Sequence, residues 1–234
     1  MFTESARIYD LIHGTALDYS ACADQMRAIV ARQAERPART LLDVACGTGS
    51  YLVELRRFFA VEGLDVEPGM LGVAREKCPD VPLHQADLVE FDLGRRFDVL
   101  ICLGSSIGYV RTLDRLRQTA CAFARHVEPS GIVIVEPWFG PDVWEDGRIM
   151  TDFHEHSDVK IARMLVSGRT GDVSTLDIHF LVGRREGVET FAEHHELGLF
   201  TVEDYRTAFT DAGFAMTSDP AGFLGRGLHI GLRR

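Results

Sequence analysis

The chain has 234 residues, a length that fits one α/β domain with a large insertion as well as two smaller domains. Apolar residues make up 46% and charged residues 26%, which is typical of a globular protein with a sizeable core and excludes disordered, collagen-like and membrane proteins. The net charge of -10 is opposite in sign to that of most nucleic-acid binders. We therefore expect a small-molecule partner, with no nucleic acid and no membrane.

The five cysteines are widely spaced and contain neither a CxxC pair nor a Cys/His spacing typical of zinc. The sequence therefore predicts neither a disulfide framework nor a metal site. The first residues lack the pattern of a signal peptide, and no stretch approaches ~18 apolar residues. Together these features predict a reduced protein of the cytoplasm.

Apolar runs alternate with helical stretches in the first half of the chain, which indicates parallel βαβ units. Helices are predicted over 18–36, 50–59, 68–77 and 111–127. Strands are predicted over 41–45, 61–66, 81–86, 97–103 and 132–136.

The pattern changes after residue 136. The next segment, 137–160, is predicted to be a loop, and three strands follow. These strands are expected near 161–166, 175–182 and 190–200. A helix over 201–213 begins with a capping box of Thr201 and Asp204, and two strands complete the chain. We expect a parallel-sheet core, 1–136 and 201–234, with an antiparallel cap, 137–200, inserted into it.

The central motif is LLDVACGTGS, residues 41–50, in which a buried strand leads through a glycine turn into a helix. Ligands bind at such strand ends because backbone N–H groups converge there and glycines Gly47 and Gly49 allow close approach. A dinucleotide would favour a small residue where Leu52 stands, and it would not favour the Asp43 carboxylate. The acid suits a ligand with a positive end, such as the amino group and sulfonium of S-adenosylmethionine.

Two further acids follow the next two strands. Asp65 is placed to accept hydrogen bonds from both hydroxyls of an adenosine ribose. Asp87 can accept from the adenine amino group, the Leu88 N–H can donate to the ring, and Met70 can cover the ring face. Each of these residues also has a structural explanation when it is considered alone. Asp43 and Asp65 can cap strand ends, Asp87 can be a turn residue, and Met70 can belong to the core. Their order at successive strand ends favours S-adenosylmethionine.

Several segments carry a resemblance to known proteins: YDLIHG (9–14), LLDVACGTG (41–49), SSIGY (105–109), FARHVEPSGIVIVEPW (123–138) and GRGL (225–228). On these motifs the chain resembles the class I S-adenosylmethionine-dependent methyltransferases. More narrowly, it resembles the N,N-dimethyltransferases of TDP-linked amino-deoxysugars, such as those of desosamine and mycaminose. The resemblance covers nearly the whole chain.

The resemblance implies a Rossmann-like α/β fold, with a seven-stranded sheet and an antiparallel cap over the site of methyl transfer. It implies that the product is S-adenosylhomocysteine. Members of the family are often dimeric, so a homodimer is possible. The cofactor contacts that it implies come from Tyr9, Asp43, Ala45, Gly47, Asp65, Met70, Asp87 and Leu88.

The chain departs from the family's pattern on the acceptor side. Tyr109 stands where relatives often have histidine, and Phe2 replaces an aromatic hydroxyl. Phe139 replaces the second tryptophan of a double-tryptophan run, and Phe223 with Leu224 replaces small residues before GRGL. The methyl donor is therefore better defined than the acceptor.

Tyr109 follows a strand end, so we expect its ring to face the acceptor as a wall and hydrogen-bond partner. Trp138 can stack on a sugar or an aromatic ring, and Arg163 and Arg226 can bind a diphosphate. Each of these residues can instead be core or solvent-facing.

The cap contains five histidines that can take a proton from an amine. They are His154, His156, His179, His194 and His195. Among them we predict His179 as a catalytic residue beside Tyr109, and His194 as an acceptor contact. A satisfied structural histidine is the alternative at each position.

Three functions remain open. The first is N-methylation of a nucleotide-linked amino-deoxysugar, and the second is N-, C- or O-methylation of an aromatic natural product such as an indole or phenol. The third is a partner subunit that binds the cofactor without catalysis.

Overall fold

The computed structural model describes residues 3–14, 17–223 and 225–234. It contains two sheets. The first has seven strands in the order β10-β11-β5-β4-β1-β2-β3, and the second has four antiparallel strands in the order β6-β7-β8-β9, which we call the cap sheet. The predicted α/β fold with an antiparallel insertion is confirmed.

The seven-stranded sheet is parallel except at one edge, where β11 runs antiparallel to both β5 and β10. Its strands are β1 (Thr40–Val44), β2 (Ala60–Asp65), β3 (Leu83–Gln85), β4 (Phe97–Cys102), β5 (Val127–Val135), β10 (Phe214–Asp219) and β11 (Leu228–Arg233). The central strands are buried on both faces, which explains their continuous apolar sequences.

Helices cover both faces of this sheet. The helices are α1 (Tyr9–His13), α2 (Tyr19–Gln33), α3 (Ser50–Leu55), α4 (Pro68–Lys77), α5 (Leu113–His126) and α6 (Val202–Asp211). Short 3-10 turns span Ser5–Arg7 and Ser106–Val110. One apolar core lies beneath α5 and α6, and the other lies beneath α2, α3 and α4. The predicted capping box of Thr201 and Asp204 begins α6.

The cap sheet consists of β6 (Ile149–Glu155), β7 (Lys160–Thr170), β8 (Val173–Arg184) and β9 (Gly187–Gly198). The prediction of a loop over 137–160 is wrong for β6. In this strand the more buried side chains include Asp152 and His154, whereas Ile149 and Phe153 are exposed. Two polar side chains are thus more buried than two large apolar ones, which reverses the usual alternation, so the pattern did not indicate a strand.

Other boundaries also differ from the prediction. Helix α3 ends at Leu55 rather than at 59, and β5 begins at Val127, where a helix was expected to continue. Helix α1, a single short helix, was not predicted from the sequence. No helix among the described residues is long and apolar enough to cross a membrane.

Candidate active site

A cavity of about 560 Å³ lies between the carboxyl ends of the central strands and the inner face of the cap sheet. Residues of α1 also line it. Of the predicted site residues, it brings together Tyr9, Asp43, Ala45, Gly47, Asp65, Met70, Leu88, Tyr109, Trp138, Arg163 and Arg226. The cavity therefore joins the predicted cofactor side to the predicted acceptor side.

The glycine turn forms the floor of this cavity. Gly47 has φ 55°, and Gly49 has φ 75° where it begins α3, so both adopt the left-handed conformation that favours glycine. A Cβ on Gly49 would also lie 3.1 Å from the side chain of Ala74. Gly49 does not line the cavity itself, so its part is to shape the turn.

Asp65 is fixed at the end of β2 by two backbone donors. Its carboxylate accepts hydrogen bonds from the N–H of Gly47 at 2.8 Å and from the N–H of Glu67 at 2.9 Å. Burial raises the pKa of Asp65, and these two donors offset only part of that effect. The carboxylate thus ties the second strand end to the glycine turn while lining the cavity.

Asp43 is buried at the end of β1, and its Oδ2 has no hydrogen-bond partner among the described residues. Burial and the neighbouring Asp65 raise its pKa well above the usual value. A buried carboxylate oxygen without a donor is costly, and a nearby positive charge would stabilise its ionised form. This arrangement fits the ammonium and sulfonium groups of S-adenosylmethionine.

The predicted adenine side is mostly apolar. Met70 is buried in α4 and lines the cavity together with Ala86 and Leu88. Asp87 does not line the cavity. Its carboxylate accepts from the N–H of Val89 at 2.9 Å and pairs with Arg115 at 3.3 Å. The contact of Asp87 with adenine therefore stays a prediction. It would require the Asp87 carboxylate to exchange one of these partners for the adenine amino group.

Helix α1 lies over the glycine turn and is held there by polar contacts that sequence reasoning missed. Asp10 accepts a hydrogen bond from Thr48 at 2.7 Å and forms an ion pair with Lys77 at 2.5 Å. These contacts place Tyr9 and His13 in the cavity wall. Burial, reinforced by Arg163, lowers the pKa of His13 to about 4, so this imidazole is neutral at pH 7.

Tyr109 lies in the 3-10 turn that follows β4. Gly108 permits the close packing of this turn, because a Cβ there would lie 3.0 Å from Cβ of Trp138. The preceding Ser105 has φ 60°, and its hydroxyl donates to the carbonyl of Pro137 at 2.7 Å. The Tyr109 hydroxyl reaches Nδ1 of His195 at 2.7 Å.

The structure places two of the predicted cap histidines away from the cavity. His179 is exposed because its neighbours Ile178 and Phe180 occupy the inner face of β8. His194 is also exposed and pairs with Asp177 at 2.6 Å on the outer face. Successive side chains of a strand alternate between faces, so neither histidine reaches the cavity.

His195 occupies the inner position instead. It is 1% exposed and lines the cavity beside Tyr109. The sequence contains this histidine directly after His194, but the register of an antiparallel strand decides which of the two faces inward. The alternating apolar residues Phe191 and Leu197 are the sequence signal for that register.

Aromatic side chains form the acceptor-side wall. Trp138, Phe139 and Trp144 contact one another at ring-centroid distances between 4.8 and 5.9 Å. The indole N–H of Trp138 donates to the hydroxyl of Ser174 at 2.9 Å, which fixes the ring. Arg226 lies 5.7 Å from the centroid of Phe139. The wall therefore combines a flat apolar surface with a cation.

The two predicted arginines differ in how far they are already paired. Arg163 makes several hydrogen bonds to Asp152, the shortest at 2.6 Å, which occupy one side of its guanidinium. Arg226 lies 3.9 Å from Glu136, and its Nε is buried with no hydrogen-bond partner among the described residues. Arg226 is therefore the better candidate for an anionic ligand.

The predictions for Phe2 and Leu224 lie outside the described residues. Phe223 packs against the core on the α2 side of the sheet rather than lining the cavity. In the described ranges, no group of three or more His, Cys, Asp and Glu side chains could hold a metal ion. All five cysteines are free thiols.

Comparisons with known proteins agree with this geometry. A family model described as a methyltransferase domain matches residues 41–131. The dTDP-3-amino-3,6-dideoxy-alpha-D-glucopyranose N,N-dimethyltransferase of Streptomyces fradiae is 40% identical, over 98% of this chain and 91% of the relative. The dTDP-3-amino-3,4,6-trideoxy-alpha-D-glucopyranose N,N-dimethyltransferase of Streptomyces venezuelae is 38% identical, over 98% of both chains.

The chain belongs to this family of sugar N,N-dimethyltransferases. The crystal structure of DesVI from Streptomyces venezuelae matches with a TM-score of 0.92 and 37% identity, over 98% of both chains. CalS10 from Micromonospora echinaspora, an amino pentose methyltransferase solved with bound S-adenosylmethionine, matches with a TM-score of 0.85 and 33% identity over 95% of this chain and 94% of its own. The protein is therefore an S-adenosylmethionine-dependent methyltransferase.

Proposed function

We propose that this enzyme transfers methyl groups from S-adenosylmethionine to the amino group of a dTDP-linked amino-deoxysugar, twice in succession. The observation that carries the proposal is similarity along nearly the whole chain to N,N-dimethyltransferases whose names specify such sugars. The single cavity that joins the strand ends to the cap sheet supports it, because donor and acceptor must meet in one space.

On the donor side, each residue would have a separate task. Asp43 would face the positive end of the cofactor, and Asp65 would accept from the ribose hydroxyls. Gly47 allows close approach, and Ala45 and Tyr9 line the same space. Met70 and the Leu88 N–H would hold the adenine, with Asp87 at the cavity edge. When bound, the cofactor supplies an electrophilic methyl group on a sulfonium.

On the acceptor side, Arg226 would bind the diphosphate and Trp138 would stack on the sugar or the thymine. Arg163 lines the same wall but is already shared with Asp152, so it would contribute less. Tyr109 would orient the amine, as the next subsection argues. Methyl transfer needs alignment and exclusion of water more than it needs a strong base, and an apolar wall over the cavity serves both needs.

We also propose the division into a donor-binding core, 1–136 and 201–234, and a cap, 137–200. The assignment follows from the two sheets, which each have their own hydrogen-bonded ladder. The inner face of the cap sheet packs over the cavity, and an apolar cluster of β7 and β8 also contacts α1. The cap would therefore select the acceptor, whereas the core would bind the donor.

The decisive experiment is turnover by the purified enzyme. It is incubated with S-adenosylmethionine and dTDP-3-amino-3,6-dideoxy-α-D-glucopyranose, and products are followed by mass spectrometry. We expect a monomethylated and then a dimethylated sugar nucleotide. The aromatic wall favours a second candidate, an aromatic acceptor, so indoles and phenols are tested in parallel. Turnover of these compounds without turnover of the sugar nucleotide would refute the proposed function.

We further propose a homodimer formed through the outer face of the cap sheet. Large apolar side chains are exposed there, namely Ile149, Phe153, Met164, Val166 and Leu181. Exposed apolar patches of this kind mark interaction sites. Analytical ultracentrifugation should show a dimer that Leu181→Asp converts to a monomer, and a monomeric wild type would refute this. The location in the cytoplasm stays a prediction.

A further inference from the structure

Three side chains form a line of polar contacts that ends in the cavity. The Tyr109 hydroxyl contacts Nδ1 of His195 at 2.7 Å, and Nε2 of the same ring lies 3.5 Å from Oε2 of Glu193. His195 and Glu193 are 1% and 7% exposed. They are two residues apart on β9, so both point to the inner face of the cap sheet.

The carboxylate sets the direction of this line. Although burial acts to raise it, hydrogen bonds from His195 and Ser5 hold the pKa of Glu193 below its usual value, so the group is ionised at pH 7. An ionised carboxylate can only accept hydrogen bonds, and therefore favours the imidazole tautomer with its proton on Nε2. Nδ1 is then an acceptor, and the Tyr109 hydroxyl must donate to it.

This direction decides what Tyr109 offers to the cavity. Burial raises the pKa of Tyr109, so the phenol keeps its proton and uses it toward His195. The lone pairs of its oxygen remain for the acceptor side. An amine that loses its lone pair to a methyl group gains positive charge on nitrogen, and its N–H bonds become better donors. An oxygen with free lone pairs stabilises this charge, whereas an O–H pointing at it would oppose it.

We propose that Glu193 and His195 are positioning residues that hold the Tyr109 oxygen as a hydrogen-bond acceptor for the substrate amine. This inference rests on the proposed function for its substrate. A primary amine has an N–H to donate in the first transfer. The methylammonium product then loses a proton to water, and the neutral monomethylated amine still has one N–H in the second transfer. The neutral dimethylated amine has none, so the contact also favours product release after two transfers.

Glu193 has a second contact that any test must separate from the first. Its carboxylate accepts from the N–H groups of Glu4 and Ser5 at 3.0 Å and from the Ser5 hydroxyl at 2.9 Å. These bonds hold the segment before α1 against β9. Ser5→Ala removes the hydroxyl while leaving both the charge of Glu193 and its contact with His195, and is therefore the matched control.

The first test does not use catalysis. Nitrogen NMR of the imidazole reports which ring nitrogen has the proton, and His195→Asn identifies the His195 signals by their loss. We expect Nε2 to be protonated in the wild type and the protonation to shift toward Nδ1 in Glu193→Gln. A wild-type ring with its proton on Nδ1 would overturn the proposal, whatever the substrate proves to be.

The second test is a double-mutant cycle on the amino-sugar reaction. Glu193→Gln should lower kcat about tenfold, with the affinity for S-adenosylhomocysteine unchanged. In the Tyr109→Phe background the same change should alter kcat by less than about twofold, because the group that it orients is already gone. Ser5→Ala should leave kcat within about twofold of the wild type.

Full additivity of the two losses, or an equal loss in Ser5→Ala, would show that Glu193 acts through the fold and would overturn the proposal. If Glu193→Gln does not fold, as judged by thermal unfolding, His195→Asn takes its place in the cycle. A wild type that does not methylate the sugar nucleotide refutes the proposed function instead. The NMR result would then decide the direction of the hydrogen bonds independently.

Discussion

The two halves of the cavity are opposite in charge and in construction. The donor half presents buried carboxylates, Asp43 and Asp65, on the ends of neighbouring parallel strands. The acceptor half presents the guanidinium of Arg226 among aromatic rings. It is assembled from α1, the turn after β4, the cap sheet and the segment before β11. A cationic donor and an anionic acceptor would therefore each meet a complementary surface.

Removing a carboxylate from the donor half should have the largest effect. Asp65→Ala removes the proposed acceptor for two ribose hydroxyls and also the contact that holds the Gly47 N–H. Hydrogen bonds to a charged group are worth about 1.5–3 kcal/mol each, so two predict an affinity at least about 100-fold weaker. Calorimetry with S-adenosylhomocysteine measures the change. The exposed Asp80→Ala is the control, and equal affinities would remove Asp65 from the site.

Changing Arg226, the cation of the acceptor half, should weaken binding of the sugar nucleotide and leave binding of S-adenosylmethionine unchanged. Arg226→Gln should raise KM for the sugar nucleotide by about 10–100-fold, the value of one or two charge-assisted hydrogen bonds, with donor affinity unchanged. Steady-state kinetics with both substrates separates the two effects. Arg117→Gln, on the exposed side of α5, serves as the control. Weakened donor binding instead would place Arg226 at the carboxylate of the cofactor.

The same contrast explains what the sequence could predict. In a parallel sheet, strand ends meet at one edge regardless of small errors in strand boundaries, so Asp43, Asp65 and the glycine turn were found from their order alone. In an antiparallel sheet, a shift of one residue exchanges the faces. That is why His194 was chosen although His195 faces the cavity.

Other parts of the acceptor half gave almost no sequence signal. Strand β6 was missed because Asp152, in the partner position of Arg163, lies toward the inner face while Phe153 is exposed. The contact of Asp10 with Lys77, which places α1 over the glycine turn, joins residues far apart in the chain. Neither feature follows from local patterns, because each depends on a partner that only the tertiary structure brings near.

The buried charge of the donor half should also destabilise the protein without cofactor. Burial and Asp65 raise the pKa of Asp43, so its carboxyl holds a proton more tightly in the folded than in the unfolded chain. The free energy of unfolding must then fall as the pH rises from the usual carboxyl pKa through the raised one. The Asp43→Asn variant has an amide in place of this carboxyl, so it lacks this pH dependence.

We therefore expect the thermal stability of Asp43→Asn, relative to the wild type, to increase as the pH rises above about 4, the usual carboxyl pKa. Thermal unfolding at several pH values, without cofactor, measures this difference, and Asp80→Asn at an exposed position is the control. A difference that stays constant with pH would show that the Asp43 carboxyl does not titrate abnormally. The same variant should bind S-adenosylhomocysteine more weakly, because the buried negative charge is gone.

The smallest effect is expected on the outer face of the cap sheet. His179 is exposed and separated from the cavity by the strand that carries it, so His179→Ala should leave kcat/KM for the sugar nucleotide within about twofold of the wild type. Its neighbour Ile178 lines the cavity and is 3% exposed, so Ile178→Ala removes buried contacts and should cost about 2–5 kcal/mol of stability.

Kinetics and thermal unfolding of this adjacent pair test the register of β8 directly. A shift by one residue would exchange the two results, because it moves every side chain of the strand to the other face. A loss of kcat/KM in His179→Ala with a donor affinity equal to that of the wild type would restore the catalytic role predicted from the sequence. It would also require that the cap sheet present its other face to the acceptor.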